Sequence, residues 1–215
     1  YRAVEYLPRS AQICREVFPR LLEGVREARM KVFHVVGGGN YYQHLPGYLR
    51  ARDLAGDSPP PPERIQPDPT TEELWRFREK HVFVGEHNQE DSRRAFEVLD
   101  FAPEAVPHEG EEIAEDGHQL FAVCKHYGIS HLIYMGFAIN WCLLLSPGGM
   151  ADMSQRGLMC SAFRQAVTAV ENKETARQEL CKHIALWRVA LAFGFVFDVD
   201  EFLICLRGQS TATGK

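Results

Sequence analysis

One cysteine of the chain stands in a sequence pattern that suits nucleophilic chemistry. Cys142 follows an apolar run typical of a strand, Ser130–Met135, and then Gly136 and the polar Asn140. It therefore falls in the first turn of the helix that we predict to come next. A thiol in that position faces the positive end of the helix and unpaired backbone N–H groups. Both favour the thiolate and can hold a developing oxyanion.

The alternative reading of Cys142 is a buried core residue, since free cysteines behave as small hydrophobic residues. The other five cysteines lack the strand–turn–helix setting and lie in apolar or periodic segments: Cys14, Cys124, Cys160, Cys181 and Cys205. None of the six forms a CxxC pair. We interpret all of them as reduced thiols, which predicts a cytoplasmic protein.

The elements that must position these residues alternate along the chain. Helices are predicted over residues 11–29, 70–80, 90–99, 117–127, 140–155 and 173–193, strands over 31–36, 130–135 and 157–163, and a last strand or short helix over 195–206. This alternation implies parallel strands joined by crossover helices. We therefore expect an α/β fold, a three-layer αβα domain with a Rossmann-like, mostly parallel sheet and helices on both faces. Its ligands would bind beyond the carboxyl ends of the strands.

Several local features accompany these elements. Ser10 is the predicted N-cap of the first helix, and Thr70 or Thr71 caps the second. The helix over 140–155 is expected to break near residues 146–149, where Ser-Pro-Gly-Gly interrupts it. In the last long helix, four apolar residues at helical spacing form one stripe: Leu180, Ile184, Trp187 and Leu191. We predict a single domain over residues 1–215 with a proline-rich surface loop over 53–70.

Composition and charge restrict the class of protein. The 215-residue chain is 45% hydrophobic and 25% charged, which excludes collagen-like, disordered and disulfide-scaffold proteins. Its 24 basic and 29 acidic residues leave a net charge of −5, so nucleic acid is not expected as a partner. The longest stretch without charged residues, 126–151, contains Pro and Gly and cannot face lipid as a helix. No membrane association is predicted.

A glycine run ends the strand predicted over residues 31–36. Gly37, Gly38 and Gly39 are not followed by a Gly-Lys-Ser/Thr sequence, so a phosphate loop is not predicted. We expect these glycines to let the backbone pack close to a pocket whose rim carries Asn40, Tyr41, Tyr42 and His44. The nine histidines form no HxH or HExxH arrangement, so neither a metal nor another cofactor is predicted.

The segment around Cys142 resembles the nucleophile region of the isochorismatase-like cysteine hydrolases, which include nicotinamidases, N-carbamoylsarcosine amidases and isochorismatases. In that family a strand is followed by Gly, a few residues, Thr or Ile, Asp or Asn, any residue and Cys. Here the segment reads Gly136-Phe137-Ala138-Ile139-Asn140-Trp141-Cys142. The resemblance covers most of the chain but is weak between residues 53 and 112.

The resemblance implies covalent catalysis in which the Cys142 thiolate attacks a C=O or C=N carbon. It places an oxyanion hole at the N–H of Cys142 and of a residue in the preceding turn, with a cis peptide bond between Phe137 and Ala138. The substrate would be a small molecule. Its predicted pocket is built from two segments, Gly39, Asn40, Tyr41 and Tyr42 with Ile139, Asn140 and Trp141, and Phe137 adds to its apolar wall.

The chain departs from the family pattern at three points. The family's acid/base Asp ends a first strand that would precede Tyr1, so that residue cannot be named here. The family's Lys would fall between residues 101 and 116, which contain no Lys or Arg; His108 is the cationic candidate there. The family's Asp/His metal set is not reproduced by Asn40 and His44, so no catalytic metal is predicted.

These observations favour a cysteine hydrolase that cleaves a small amide, carbamoyl or related C–N bond. Two alternatives stay open. One is an isochorismatase-type hydrolase of a vinyl ether, in which the cysteine need not act. The other is a non-catalytic binding or assembly protein of the same fold. The resemblance also implies a homo-oligomer, a dimer or tetramer, to which the apolar stretch 186–197 could contribute if it is not buried in its own core.

Overall fold

Helices and short strands alternate in the computed structural model of the chain, which describes residues 3–82 and 85–212. The predicted domain over 1–215 thus has seven residues outside the described ranges. The helices are α1 Ala3–Glu16, α2 Phe18–Glu27, α3 Pro46–Ala55, α4 Pro69–His81, α5 Gln89–Glu97, α6 Gly117–Tyr127, α7 Cys142–Leu145, α8 Met150–Gln155, α9 Leu180–Ala192 and α10 Val199–Ala212. The strands are β1 Phe33–Val35, β2 Glu112–Ala114, β3 His131–Gly136, β4 Met159–Val167 and β5 Val196–Phe197.

Every strand pair in the described ranges is parallel, which confirms the predicted α/β class. Strand β1 pairs with β2, and β3, β4 and β5 form a second sheet in that order. The carboxyl ends of β1 and β3 lie at the same edge. A Cβ added to Gly148, in the turn between α7 and α8, would lie 3.2 Å from Val35 at the end of β1.

Helices cover both faces of β3, which makes the domain three layers thick. Leu132 and Tyr134 pack against a cluster that includes residues of α6, α8 and α9. Ile133 and Met135 point to the opposite face and pack against a cluster from α1, α2 and α10. This alternation follows from the two-residue period of a strand. No helix of the described part is long and apolar enough to cross a bilayer.

The first predicted helix is two helices in the structure. It was predicted over residues 11–29 with Ser10 as its N-cap, and this was wrong in both respects. Ser10 lies buried within α1, where its hydroxyl is 3.2 Å from that of Thr168. The chain breaks at Val17, because Pro19 has no N–H to continue the helical ladder.

Three further differences follow from local signals that periodicity does not report. Helix α3 was not predicted; it starts at Pro46, a residue that suits the first turn of a helix. Asp68, rather than Thr70 or Thr71, caps α4 and accepts a 2.8 Å hydrogen bond from the Thr71 N–H. The proline-rich loop is accordingly shorter than predicted, since α3 ends at Ala55.

Leu21 has the environment in which truncation costs most, because none of its surface is exposed. We expect Leu21→Ala to lower the free energy of unfolding by about 2–5 kcal/mol, since it removes buried methyl groups and leaves a cavity. Urea denaturation measures the change. Leu74→Ala, at a position 63% exposed on α4, is the control and should stay within about 0.5 kcal/mol of the parent. Equal losses in the two variants would contradict the assigned core.

Candidate active site

Cys142 lies at the junction between β3 and the next helix. β3 ends at Gly136, whose φ of +122° suits a residue without a Cβ. The peptide bond between Phe137 and Ala138 is cis, at the position where the resemblance places one. Cys142 is the first residue of α7, and its thiol is a free, exposed group. The edge is the one at which ligands of parallel sheets bind.

The turn before Cys142 presents backbone donors. The Ala138 carbonyl accepts from the N–H groups of Trp141 at 3.1 Å and of Leu143 at 3.0 Å. Within residues 3–82 and 85–212, the N–H groups of Ala138 and Cys142 have no acceptor. Two free donors in the turn that carries a nucleophile are what a developing oxyanion requires.

Asn140 fixes this turn to the end of β4. Its Nδ2 donates to the Val170 carbonyl at 2.9 Å, and its Oδ1 accepts from the Val170 N–H at 2.8 Å. The neighbouring Ile139 N–H donates to the Thr168 carbonyl at 2.7 Å. The Ile139 side chain is buried in the core. Both residues were predicted to line a substrate pocket, but the structure uses their side chains to hold the turn in place.

The two aromatic residues of the turn point to different surroundings. Phe137 stacks on Phe18 with ring centroids 5.5 Å apart, inside the cluster that includes α1, α2 and α10. It therefore packs against a helix and does not supply the predicted apolar wall. Trp141 is 53% exposed, so its ring is available to a molecule that approaches Cys142.

The Gly39–Tyr42 segment makes its polar and ring contacts with other residues than those of this turn. Tyr42 is buried, and its hydroxyl donates to Glu115 at 2.9 Å. Tyr41 packs edge-on against Tyr42 and Phe101. Among the described residues, no hydrogen bond, ion pair or ring contact connects Gly39, Asn40, Tyr41 or Tyr42 to residues 137–142. The pocket predicted from both segments therefore stays a prediction.

His108 lies at the other edge of the sheet. With Arg26, Lys31 and Glu111 it borders a cavity of about 300 Å³, beside the residues that lead into β1 and β2. Cys142 instead follows the carboxyl end of β3. The structure therefore does not bring His108 to the thiol as a substitute for the family Lys.

Burial distinguishes most of the other thiols from the exposed thiol of Cys142. Burial raises the pKa of Cys124 to about 12 and that of Cys160 to about 11, so both stay protonated at neutral pH. Cys14 is buried as well, and Cys181 is half-buried. Cys205 on α10 is exposed like Cys142, but it lies within a helix and not at a strand–turn–helix junction.

Sequence reasoning missed a buried lysine near this edge of the sheet. Lys182 is 5% exposed at the start of α9, and its Nζ lies 3.6 Å from a Glu179 carboxylate oxygen. Burial lowers its pKa, and the charge of Glu179 opposes that shift. The backbone N–H groups of Cys181 and Lys182 donate to the Glu171 carboxylate. The one sequence signal was the three-residue spacing of Glu179 and Lys182.

The described ranges hold no group of three or more His, Cys, Asp or Glu side chains arranged for a metal ion. Acidic residues near β2 are instead engaged by protein donors. Glu111 accepts from Arg26 at 2.7 and 3.0 Å, from His34 at 2.8 Å and from the His108 N–H at 2.9 Å. Glu111 is therefore part of the polar contacts that hold the fold together.

Comparison with known proteins gives a fold relationship only. No protein family model matches the chain, and no curated protein matches its sequence. A solved structure, described as a cysteine hydrolase from Pseudomonas syringae pv. phaseolicola 1448A, is similar with a TM-score of 0.53 and 15% sequence identity. The match covers 93% of this chain and 82% of that one. The chain thus has the fold of a solved cysteine hydrolase.

The two hydrogen bonds of Asn140 should be measurable in stability. Asn140→Ala removes both and leaves Val170 without partners, so we expect it to lower the free energy of unfolding by about 1–3 kcal/mol. Asn140→Asp keeps an oxygen that accepts from the Val170 N–H, so its free energy of unfolding should fall by less. Thermal and urea denaturation of the three proteins checks the order. An Asn140→Ala variant as stable as the parent would show that these hydrogen bonds do not hold the turn in place.

The Glu111 site predicts how stability falls in acid. Burial raises the pKa of Glu111, but the hydrogen bonds from His34 and Arg26 outweigh it, and the folded-state pKa lies well below the usual 4.5. The unfolded chain therefore takes up the proton first as the pH falls. The stabilisation is complete above pH 4.5 and is lost as the pH drops below that value. Urea denaturation over this range should show a shallower loss for Glu111→Gln than for the parent; identical slopes would contradict the assignment.

Proposed function

We propose that the protein is a cysteine hydrolase that cleaves the C–N bond of a small amide or carbamoyl compound through the thiolate of Cys142. One observation carries the proposal: an exposed thiol directly follows a turn whose Ala138 and Cys142 N–H groups are free. The fold that surrounds it is shared with a solved cysteine hydrolase. Together these supply a nucleophile, oxyanion donors and an accessible edge of a parallel sheet.

The reaction would proceed in two halves. The Cys142 thiolate attacks the carbonyl carbon, and the oxygen of the tetrahedral adduct accepts hydrogen bonds from the N–H groups of Ala138 and Cys142. The C–N bond then breaks, and the amine leaves with the proton that the Cys142 thiol gave up on forming the thiolate. A thioester remains on Sγ. Water attacks the thioester, the C–S bond breaks, and the acid product departs as the thiol is restored.

Trp141 supports a small substrate with an apolar portion. Its half-exposed ring lies next to Cys142 in sequence and has no stacking partner among the described residues. An aromatic face beside a nucleophile buries apolar substrate surface and restricts the approach of the reacting carbon. The ring is thus the side chain of the turn best placed to choose among substrates.

A non-catalytic role is the second candidate, and one observation favours it. In the described part of the chain, no carboxylate, lysine or histidine is hydrogen-bonded or ion-paired to Cys142. Proton transfer to the leaving amine needs such a group. The resemblance assigns that task to an Asp. A protein without it would bind a small molecule at the same edge and leave it intact.

Ammonia release from a panel of small primary amides and N-carbamoyl amines separates the two candidates. For a compound that the parent hydrolyses, we expect Cys142→Ala and Cys142→Ser to lower kcat/KM by at least about a thousandfold, because no other thiol can form the thioester. Cys205→Ser is the matched control, since it removes the other exposed thiol, and it should stay within about twofold.

The outcomes exclude each other. Full activity in Cys142→Ser would remove Cys142 from the chemistry and contradict the proposed mechanism. Binding of a panel compound without turnover, seen by calorimetry and unaffected by either cysteine change, would favour the binding protein. Intact mass spectrometry of a stopped reaction adds a direct check, since a thioester adds the acyl mass to the parent protein but not to Cys142→Ala.

A further inference from the structure

The proline-rich loop between α3 and α4 is exposed along its whole length. The structure forms neither a helix nor a strand from Gly56 to Asp68, and every residue from 56 to 70 is exposed. Within the described ranges, no hydrogen bond, ion pair or ring contact involves residues 57–67. Helix α4, which follows the loop, has no buried residue either. The loop therefore presents its surface to other molecules.

The covalent structure of the loop restricts it to an extended conformation. Residues 59–62 are four consecutive prolines, and each ring fixes its own φ at about −65°. Ser58 and the first three of these prolines also precede a proline, which disfavours the helical region and favours polyproline II. Asp68, which precedes Pro69, has φ −73° and ψ 166°, in the extended region that the same rule requires. A segment restricted in this way loses little conformational entropy when it binds.

The prolines and one arginine of the loop have a spacing that suits recognition in this conformation. Residues 58–64 read Ser-Pro-Pro-Pro-Pro-Glu-Arg, a Pro-x-x-Pro sequence with an arginine two residues after it. Polyproline II has three residues per turn, so positions 59 and 62 share one edge and positions 58, 61 and 64 share a second. Positions 60 and 63 share the third edge, which turns Glu63 away from the other two. One side of the segment is thus apolar with a single positive charge at its end.

The positive charge at that end has no partner within the described part of the chain. The Arg64 guanidinium forms no ion pair or hydrogen bond with the described residues. Arg76, on the helix that follows, pairs instead with Glu72. An unpaired guanidinium can form a bidentate pair with a carboxylate of another protein. Arg64 therefore favours a binding groove that ends in acidic side chains.

We propose that residues 58–64 are the binding site for an SH3-type domain, a protein domain with an aromatic-lined groove for polyproline II and an acidic pocket for a basic residue. The groove takes the Ser58-Pro59 and Pro61-Pro62 pairs, and Arg64 enters the acidic pocket. Glu63 faces solvent, so the only negative charge of the segment stays out of the groove. The six residue steps from 58 to 64 span roughly 19 Å in polyproline II.

Arg64 distinguishes this partner from other proteins that bind proline-rich segments. A partner that recognises consecutive prolines alone binds residues 59–62 and gains nothing from a charge at position 64. A partner with an acidic pocket loses an ion pair when that charge is removed. The inference does not depend on the proposed hydrolase function, because none of residues 58–64 belongs to the candidate active site.

Calorimetric titration of the full chain with a panel of purified SH3 domains that select Pro-x-x-Pro-x-Arg ligands tests the proposal. At least one domain should bind the parent with a Kd on the order of 10 µM. Pro62→Ala and Arg64→Glu should each raise that Kd at least about tenfold, because one removes apolar contact surface and the other reverses the charge. Pro60→Ala is the matched control: the same chemical change on the solvent-facing edge should alter the Kd by less than about threefold.

The three variants alter exposed loop positions, so thermal unfolding should show that all of them are as stable as the parent. Failure of every domain in the panel to bind the parent at about 100 µM would overturn the proposal, because domains of this class share one ligand pattern. Unchanged binding of Arg64→Glu would overturn it as well, since no acidic pocket would then be in use. Equal losses in Pro60→Ala and Pro62→Ala would do the same, because the partner would then recognise proline content rather than the spacing.

Discussion

The proposed site depends on the attachment of one turn to the end of β4. Asn140 exchanges two hydrogen bonds with the backbone of Val170, and Ile139 adds a third to Thr168. Because these bonds use the backbone groups next to β4, they fix where Cys142 enters α7. The N–H groups of Ala138 and Cys142, in the same turn, have no acceptor within residues 3–82 and 85–212. The turn that these bonds hold thus carries an exposed thiol and two free donors.

The layers of the domain explain why this turn can be exposed and yet fixed. β3 is covered by helices on both faces, so its side chains anchor the strand while its carboxyl end stays at the edge. Ser10 of α1 reaches Thr168 from one layer, and Glu171 accepts the first N–H groups of α9 from another. The segment after β4 is therefore tied to both layers. The same segment contains Val170, whose backbone is hydrogen-bonded to Asn140 in the turn before Cys142.

Patterns local in sequence predicted the fold well where the deciding signal was local. Helix α6 was predicted at its observed bounds, because Gly128 adopts the left-handed conformation that ends it. The interruption between α7 and α8 also followed from its Ser-Pro-Gly-Gly sequence. The surroundings of individual side chains were harder to predict. Periodicity placed Leu180, Ile184, Trp187 and Leu191 on one stripe of α9, but it does not say which of two apolar faces meets the sheet. The positions of His108 and Tyr42 depended on loop paths that no spacing rule encodes.

The most direct test of the central claim is the reactivity of Cys142 relative to the other exposed thiol. Native protein is treated with iodoacetamide at several pH values from about 5 to about 9, and each cysteine is followed by mass spectrometry. Cys142 and Cys205 are both exposed, so a large difference in rate reports on the surroundings of the sulfur. The account predicts that Cys142 is modified at least about tenfold faster than Cys205, most clearly at the acidic end. Equal rates throughout would contradict an activated nucleophile.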